Sequence, residues 1–347
     1  MAFRTTRVFR KRSCLHRHLA IIRSKNSEAF NDKPLRIHSW KVMFFGTDDF
    51  SIGSLTKLKN ELKSNQMISK LEIVTSKWHL NPVKLFGQKE GLVVHDWPIA
   101  QHALQGFDIG VVASFGHLIP KRVIEAFPLG MVNVHGSLLP RWRGAAPVNY
   151  AIMHGDTVTG VSIMRIRPHT FDKGEVLSRQ EVSIHPNETA LELRARLSEV
   201  GGKELISCMQ RLPECLEDAH PQPEEGICYA PKLTPELGVI DFKKMTAKCI
   251  FDRFRALYGI IPIVTTWMDL KLILHEVSLN NFTFGEGSVP GNVQVCKRSK
   301  SLVIKCCDNS LLIVKRIAPF RKKPISAIEF YNGYLSKKSK TCWNFGE

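Results

Sequence analysis

Asn133 and His135 stand two residues apart in Met131-Val-Asn-Val-His135, an apolar stretch that predicts a short strand. Alternate side chains of a strand share a face, so the amide and the imidazole point the same way. In an open α/β sheet, ligands bind at the carboxyl ends of the strands, where this pair falls. An amide donor beside an imidazole suits a carbonyl oxygen that must gain negative charge. The same two residue types also close turns by ordinary hydrogen bonding, and spacing alone leaves both readings open. His154, His169 and His185 lack metal-ligand spacing and read as surface or helix-end residues. The nine cysteines contain no Cys-x-x-Cys pair, so no zinc site or disulfide framework is expected.

These residues need a scaffold, and from Trp40 the pattern is α/β. Strands are expected at Lys41–Phe45, Leu71–Thr75, Leu92–Val94, Asp108–Ser114, Met131–His135 and Gly160–Ile166. Helices are expected after Gly46, from Pro82, over Pro120–Phe127, over Ala145–His154 and over about Thr189–Leu212. Apolar strands alternating with helices imply a doubly wound, mostly parallel sheet. Gly46-Thr-Asp-Asp-Phe-Ser-Ile-Gly53 is not Gly-x-Gly-x-x-Gly, and Asp48 and Asp49 would repel a pyrophosphate, which disfavours a nicotinamide cofactor. Pro213, Pro221 and Pro223 mark a linker over 213–240. Beyond it Thr246 caps a helix. Short runs at Lys271–Val277, Gly291–Val295, Leu302–Cys306 and Leu311–Ile317 then predict a second, smaller β-barrel domain over 241–335, followed by a basic tail over 336–347.

The formal charge is +17, and eight basic residues without an acid lie in residues 1–27. That Arg-rich, acid-free segment has the composition of a mitochondrial transit peptide, which implies the matrix as destination. The excess that remains favours an acidic partner such as RNA, and basic residues gather in the last third of the chain. No run approaches the roughly 20 apolar residues of a membrane span, and nothing demands more than a monomer.

The stretch that follows the strand, Ser137-Leu-Leu-Pro-Arg-Trp-Arg-Gly-Ala-Ala-Pro147, is highly specific. With Phe45-Gly-Thr, Pro82-Val-Lys, Ser114-Phe-Gly-His-Leu-Ile-Pro120, Gly160-Val-Ser-Ile-Met164, Phe171-Asp-Lys-Gly174 and Tyr229-Ala-Pro-Lys-Leu233, it resembles the methionyl-tRNA formyltransferases, and the basic leader suggests a mitochondrial member. The resemblance runs from about Val42 to about Phe320. It implies a Rossmann-like catalytic domain over 40–212 and an OB-fold-like barrel. It also implies 10-formyltetrahydrofolate as donor, methionyl initiator tRNA as acceptor, and no metal.

Carried over by position, Asn133, His135 and Asp172 match the catalytic residues. Asn133 and His135 would stabilise the oxyanion, and Asp172 would orient His135 and help manage the proton of the attacking amine. Phe115, Gly116, His117, Leu118, Ile119 and Pro120 match a wall of the folate pocket, and Ser137, Leu138, Leu139 and Pro140 a segment beside it. Arg141 and Arg143 are candidates for tRNA contact or for ordering their own loop. Trp142 is a candidate for stacking or for burial as an anchor. Lys77, Lys297, Arg298, Arg321 and Lys322 are further tRNA candidates. Two departures stand out. Only Ser76-Lys-Trp-His-Leu-Asn81 occupies the place of a longer basic loop in bacterial relatives, and Gly136 follows His135 where Pro or Ala is frequent.

Overall fold

The computed structural model describes residues 39–78, 80–279 and 288–346; the leader over 1–27 lies outside them. In chain order the first elements are β1 (Trp40–Gly46), α1 (Asp49–Ser64), β2 (Ile68–Ser76), α2 (Pro82–Lys89), β3 (Val93–Trp97), β4 (Ile109–Ala113), α3 (Lys121–Ile124), β5 (Met131–His135) and α4 (Pro147–Met153). Then come β6 (Val158–Arg165), β7 (Val176–Ser183), α5 (Ala190–Gln210), α6 (Glu214–Glu217), α7 (Ala247–Leu257) and β8 (Ile263–Trp267). The last are β9 (Leu270–Leu279), β10 (Val293–Cys296), β11 (Ser301–Lys305), β12 (Leu311–Pro319), β13 (Ile325–Ser326) and α8 (Ala327–Gly333). The chain divides into two compact units. The first joins residues up to Arg143 with Gly160–Glu181 and Ala195–Ile227; the second joins Gly144–Thr159 and Val182–Arg194 with Cys228 onward.

The first unit is built on a seven-stranded sheet in the order β3-β2-β1-β4-β5-β6-β7. The pairs from β3 through β5 are parallel, and β6 runs antiparallel to β5. Phe45, Val112, Phe115, Phe127 and Met131 pack one buried cluster, with Phe45 edge-on to Phe115 at 5.5 Å and to Phe127 at 6.2 Å. Each such ring contributes roughly 1.5–3 kcal/mol by leaving water. Across α1, the Gly53 N–H donates to Ser198 Oγ at 3.1 Å, and that hydroxyl donates to Phe50 O at 2.8 Å. A Cβ on Gly53 would fall 2.2 Å from Ser198 O, so the close approach of α1 and α5 requires glycine there.

Strand order reverses between β1 and β4, the place where a doubly wound sheet normally opens its ligand crevice. Here that crevice is bridged: Thr47 Oγ1 donates to Ser114 O at 2.8 Å, and Ser114 Oγ donates to Asp48 Oδ2 at 2.6 Å. Asp48 also caps α1 by accepting from Phe50 N–H at 3.0 Å. A carboxylate therefore already holds the helix terminus that a dinucleotide phosphate would use.

The structure refines the expected elements. α3 stops at Ile124 rather than reaching Phe127; past it Ala126 N–H closes a tighter turn onto Val123 O at 3.3 Å, and Pro128 disfavours helical backbone at Phe127 itself. β7 and β8 were not expected from the sequence; Val-Leu-Ser-Arg-Gln-Glu-Val-Ser shows little apolar alternation.

In the second unit Thr246 Oγ1 accepts from Cys249 N–H at 3.0 Å and starts α7, as its sequence predicts. The antiparallel sheet has the order β8-β9-β12-β11-β10, with β13 on β12. Residues 343–346, expected as part of a basic tail, instead tie the two edge strands of this sheet. Val293 N–H donates to Trp343 O and Phe345 N–H to Gly291 O, each at 2.9 Å, while Gly346 N–H donates to Thr266 O at 2.8 Å. Phe345 is fully buried.

Candidate active site

β5 ends at His135 between two different neighbours. Val112 and Ala113 of β4 pair with Asn133 and Val134, and Ser162 of β6 pairs with His135. Met131, Val132 and Val134 are buried, and Asn133 is partly exposed beside the buried His135. The Nε2 of His135 lies 3.0 Å from Trp142 O. A carbonyl oxygen only accepts, so Nε2 carries a hydrogen. Nδ1 then faces Asp172, with Oδ1 3.7 Å away. The structure thus brings His135 and Asp172 together at the end of the strand that carries Asn133.

The segment after His135 is fixed from within. Ser162 Oγ donates to Ser137 O at 2.7 Å and accepts from Leu139 N–H at 3.0 Å. Ser137 Oγ donates to Arg141 O at 2.6 Å. One buried hydroxyl on β6 therefore pins two backbone positions beyond His135, offsetting the freedom of Gly136. Of the ten folate candidates, Phe115, Ile119, Ser137 and Leu139 are buried. Gly116, His117, Leu118 and Pro120 are exposed and Leu138 and Pro140 partly exposed, so these six are the ones able to face a ligand. Gly116 has φ +74, and a Cβ there would meet nothing within 4 Å.

Asp172 lies on the loop 166–175 between β6 and β7, with φ 51 in the left-handed region. Arg167 and Glu175 pair across the base of this loop. Burial would raise the Glu175 carboxyl, but hydrogen bonding and charge from Arg167 outweigh it and hold Glu175 below the usual range. The Arg165 N–H donates to Glu175 O at 2.8 Å. A Cβ on Gly174 would fall 1.7 Å from Arg165 O, so only glycine admits this approach.

The remaining candidates separate by exposure. Trp142 is buried, with the Arg141 guanidinium 4.4 Å above its ring, so the anchor reading of Trp142 fits. Arg143 is 7% exposed and turned inward, its Nε and Nη2 donating to Gln222 Oε1 at 2.9 and 2.6 Å. Of the two roles open to Arg143, ordering its own surroundings fits this geometry; contact with RNA does not. Lys77, Lys297, Arg298, Arg321 and Lys322 are exposed. Lys77 lies 5.3 Å from the ring of Trp78, itself 79% exposed. Sequence reasoning passed over Phe320, a half-exposed ring with Lys271 Nζ at 5.0 Å and the Arg321 guanidinium at 5.4 Å. Its signal was an apolar residue beside Arg-Lys-Lys. Gln222 lies in the stretch that its flanking prolines mark as linker, with no signal of its own.

Comparison with known proteins places this arrangement in a class. The formyl transferase family matches residues 97–209, and the formyl transferase C-terminal domain matches residues 232–335. A sugar 3N-formyl transferase, solved with dTDP and 5-N-formyl-THF, shares the fold at a TM-score of 0.60 and 18% identity, over 82% of this chain and 100% of that one. HypX from Aquifex aeolicus in complex with tetrahydrofolic acid does so at 0.55 and 15%, over 86% and 48%. The mitochondrial methionyl-tRNA formyltransferase of Homo sapiens is 41% identical over 309 residues, 85% of this chain and 78% of that one. The methionyl-tRNA formyltransferase of Fusobacterium nucleatum is 30% identical over 87% of this chain and 100% of its own length. The chain belongs to the methionyl-tRNA formyltransferase family.

Proposed function

We propose that this protein transfers the formyl group of 10-formyltetrahydrofolate to the amino group of methionyl initiator tRNA in the mitochondrial matrix, with Asn133, His135 and Asp172 as its catalytic residues. The mitochondrial relatives and the Arg-rich leader support the location. The observation that carries the site is the orientation of His135: Nε2 is engaged by Trp142 O, and Nδ1 is turned toward the Asp172 carboxylate.

The donor supplies an electrophilic formyl carbonyl. The Asn133 amide donates a hydrogen bond to its oxygen as charge develops there. His135 adds a second donor through Nδ1 when that nitrogen carries a hydrogen. The nitrogen of the aminoacyl group attacks the formyl carbon and loses a proton to Asp172, beside Nδ1, directly or through water; the tetrahedral intermediate then collapses by breaking the bond between the formyl carbon and N10 of the donor, and tetrahydrofolate leaves with a proton on N10. Gly116, His117 and Leu118 beyond β4, with Leu138 and Pro140 beyond β5, would hold the folate. They fit a flat, partly apolar ring: Leu118 is exposed, and the backbone at Gly116 is open on its side-chain face. The exposed cations Lys77, Lys297, Arg298, Arg321 and Lys322 would meet phosphates. Arg141 remains a candidate for the acceptor end.

The test is direct. The protein, without its leader, is incubated with 10-formyltetrahydrofolate and charged initiator tRNA, and N-formylmethionine released from the RNA is measured. Asn133→Ala, His135→Ala and Asp172→Ala should each lower turnover about 10²–10⁴-fold. Formylation of glycinamide ribonucleotide alone would replace the acceptor. Binding of RNA without turnover would remove the enzymatic reading, and near-native rates in all three variants would remove the site.

A further inference from the structure

Gln222 lies between Pro221 and Pro223, outside every helix and strand. The proline after it disfavours helical backbone at Gln222 itself. Two residues earlier, His220 and Val176 exchange backbone hydrogen bonds, His220 N–H to Val176 O at 3.0 Å and the reverse at 2.8 Å. This registers the segment against the first residue of β7. The Gln222 side chain then uses its whole hydrogen-bonding capacity. Its Nε2 donates to Asp172 O and Gly174 O, each at 2.9 Å. Its Oε1 accepts from Nε and Nη2 of Arg143.

An amide with two donors and one oxygen fits this place, and no other side chain of its length does. A glutamate would satisfy Arg143 and confront two carbonyls; a lysine would satisfy the carbonyls and confront Arg143. The two carbonyls flank Lys173, so the amide clamps the backbone on both sides of the residue after Asp172. Arg143 enters from the other end, within the same Arg-Trp-Arg segment whose Trp142 carbonyl holds His135. A chain of hydrogen bonds and two backbone steps therefore links the groups that orient the imidazole and the carboxylate. All of these residues belong to the first unit.

We propose that Gln222, held by Arg143, is a positioning residue that sets the Asp172 carboxylate against His135; the inference rests on the catalytic reading of Asp172. Gln222 does not touch the reacting atoms. Its effect is on the left-handed turn that carries Asp172, and a displacement of about 1 Å there is enough to cost roughly 10²-fold in rate.

The experiment compares Gln222→Met, which keeps length without polarity, Gln222→Glu, which keeps the Arg143 contact but loses both donors, and Asp172→Asn. Each of the two Gln222 variants is also combined with Asp172→Asn, and the thermal midpoint is recorded for every protein. The expected result is a fall in kcat of about 10- to 100-fold in Gln222→Met and Gln222→Glu, with KM for charged tRNA changed by less than about twofold. In the Asp172→Asn background the same changes should cost little more, because the carboxylate they position is gone. Wild-type kcat in either folded Gln222 variant, or losses that multiply fully with Asp172→Asn, would overturn the inference. So would rate losses that merely track the fraction unfolded. Wild-type turnover in Asp172→Asn alone is a separate outcome, which removes the catalytic reading instead.

Discussion

His135 Nε2 and the Trp142 carbonyl oxygen stand 3.0 Å apart, and this contact decides which face of the imidazole is free for chemistry. The contact occupies one nitrogen and leaves the other toward Asp172. Substitution can separate the two. In His135→Gln, the side-chain amide nitrogen reaches the position of Nε2 and can still donate to Trp142 O, but nothing replaces Nδ1. Turnover should fall about 10²–10⁴-fold, with a thermal midpoint closer to the native one than that of His135→Ala, which removes the imidazole's hydrogen bond to that carbonyl. Single-turnover formylation and a melting curve on both variants check this. Native turnover in His135→Gln would assign the chemistry to Nε2.

Gly174 meets the carbonyl of Arg165 where a methyl group cannot fit. Gly174→Ala should therefore push the loop off β6, breaking the Arg165 to Glu175 backbone bond beside it. Overpacking of this kind costs about 1–3 kcal/mol. Because Asp172 rides on the same loop, kcat should fall further than the loss of folded protein explains. Urea titration together with kcat measured at full folding separates the two effects.

The Phe320 ring with Lys271 and Arg321 around it has the chemistry of a base-stacking step flanked by phosphate contacts. Phe320→Ala should weaken tRNA binding by about 1–3 kcal/mol with an unchanged salt slope. Arg321→Ala should instead flatten the plot of log K against log salt by about 0.7–0.9 if it neutralises one phosphate. Filter binding across a salt series reads both. Equal salt slopes in all three proteins would remove Arg321 from the interface.

The cysteines should differ sharply in reactivity. Burial pushes the thiols of Cys215 and Cys306 up to about 12, so at pH 8 they stay protonated. Hydrogen bonds from Ser299 lower Cys296, so its thiolate appears at lower pH than in an ordinary cysteine. In native protein at pH 8, iodoacetamide should mark Cys296 well before Cys215 or Cys306. Peptide mapping by mass spectrometry after short exposures checks the order.

Much of this was legible in the chain. The first five strands and the cap at Thr246 follow from apolar periodicity and one threonine. The long motif through Pro147 named its family because few other constraints would fix so many adjacent residues. What stayed hidden was non-local. β7 carries Arg179, Gln180 and Glu181 in sequence, and nothing local marks them as strand. Arg143 stays open between tRNA contact and ordering its own loop until its partner, 79 positions away, is seen. Gln222 sits among prolines that announce a linker, yet its amide is fully engaged. Gly174 was visible only as part of Asp-x-Gly; the carbonyl that forbids a side chain there comes from the preceding strand.

The edge strands of the second unit are tied by residues 343–346, which follow the last long strand, β12, by more than twenty positions. Before residues 343–346 dock, a sheet in which β8 to β12 have already paired stands with both edges unbridged. During that interval the edges at Gly291 and Thr266 lack their partner, and the place of Phe345 is empty of its ring. Open edges of this kind are templates for pairing with other chains. The docking of these four residues therefore belongs to the protection of this unit from edge pairing as much as to its packing.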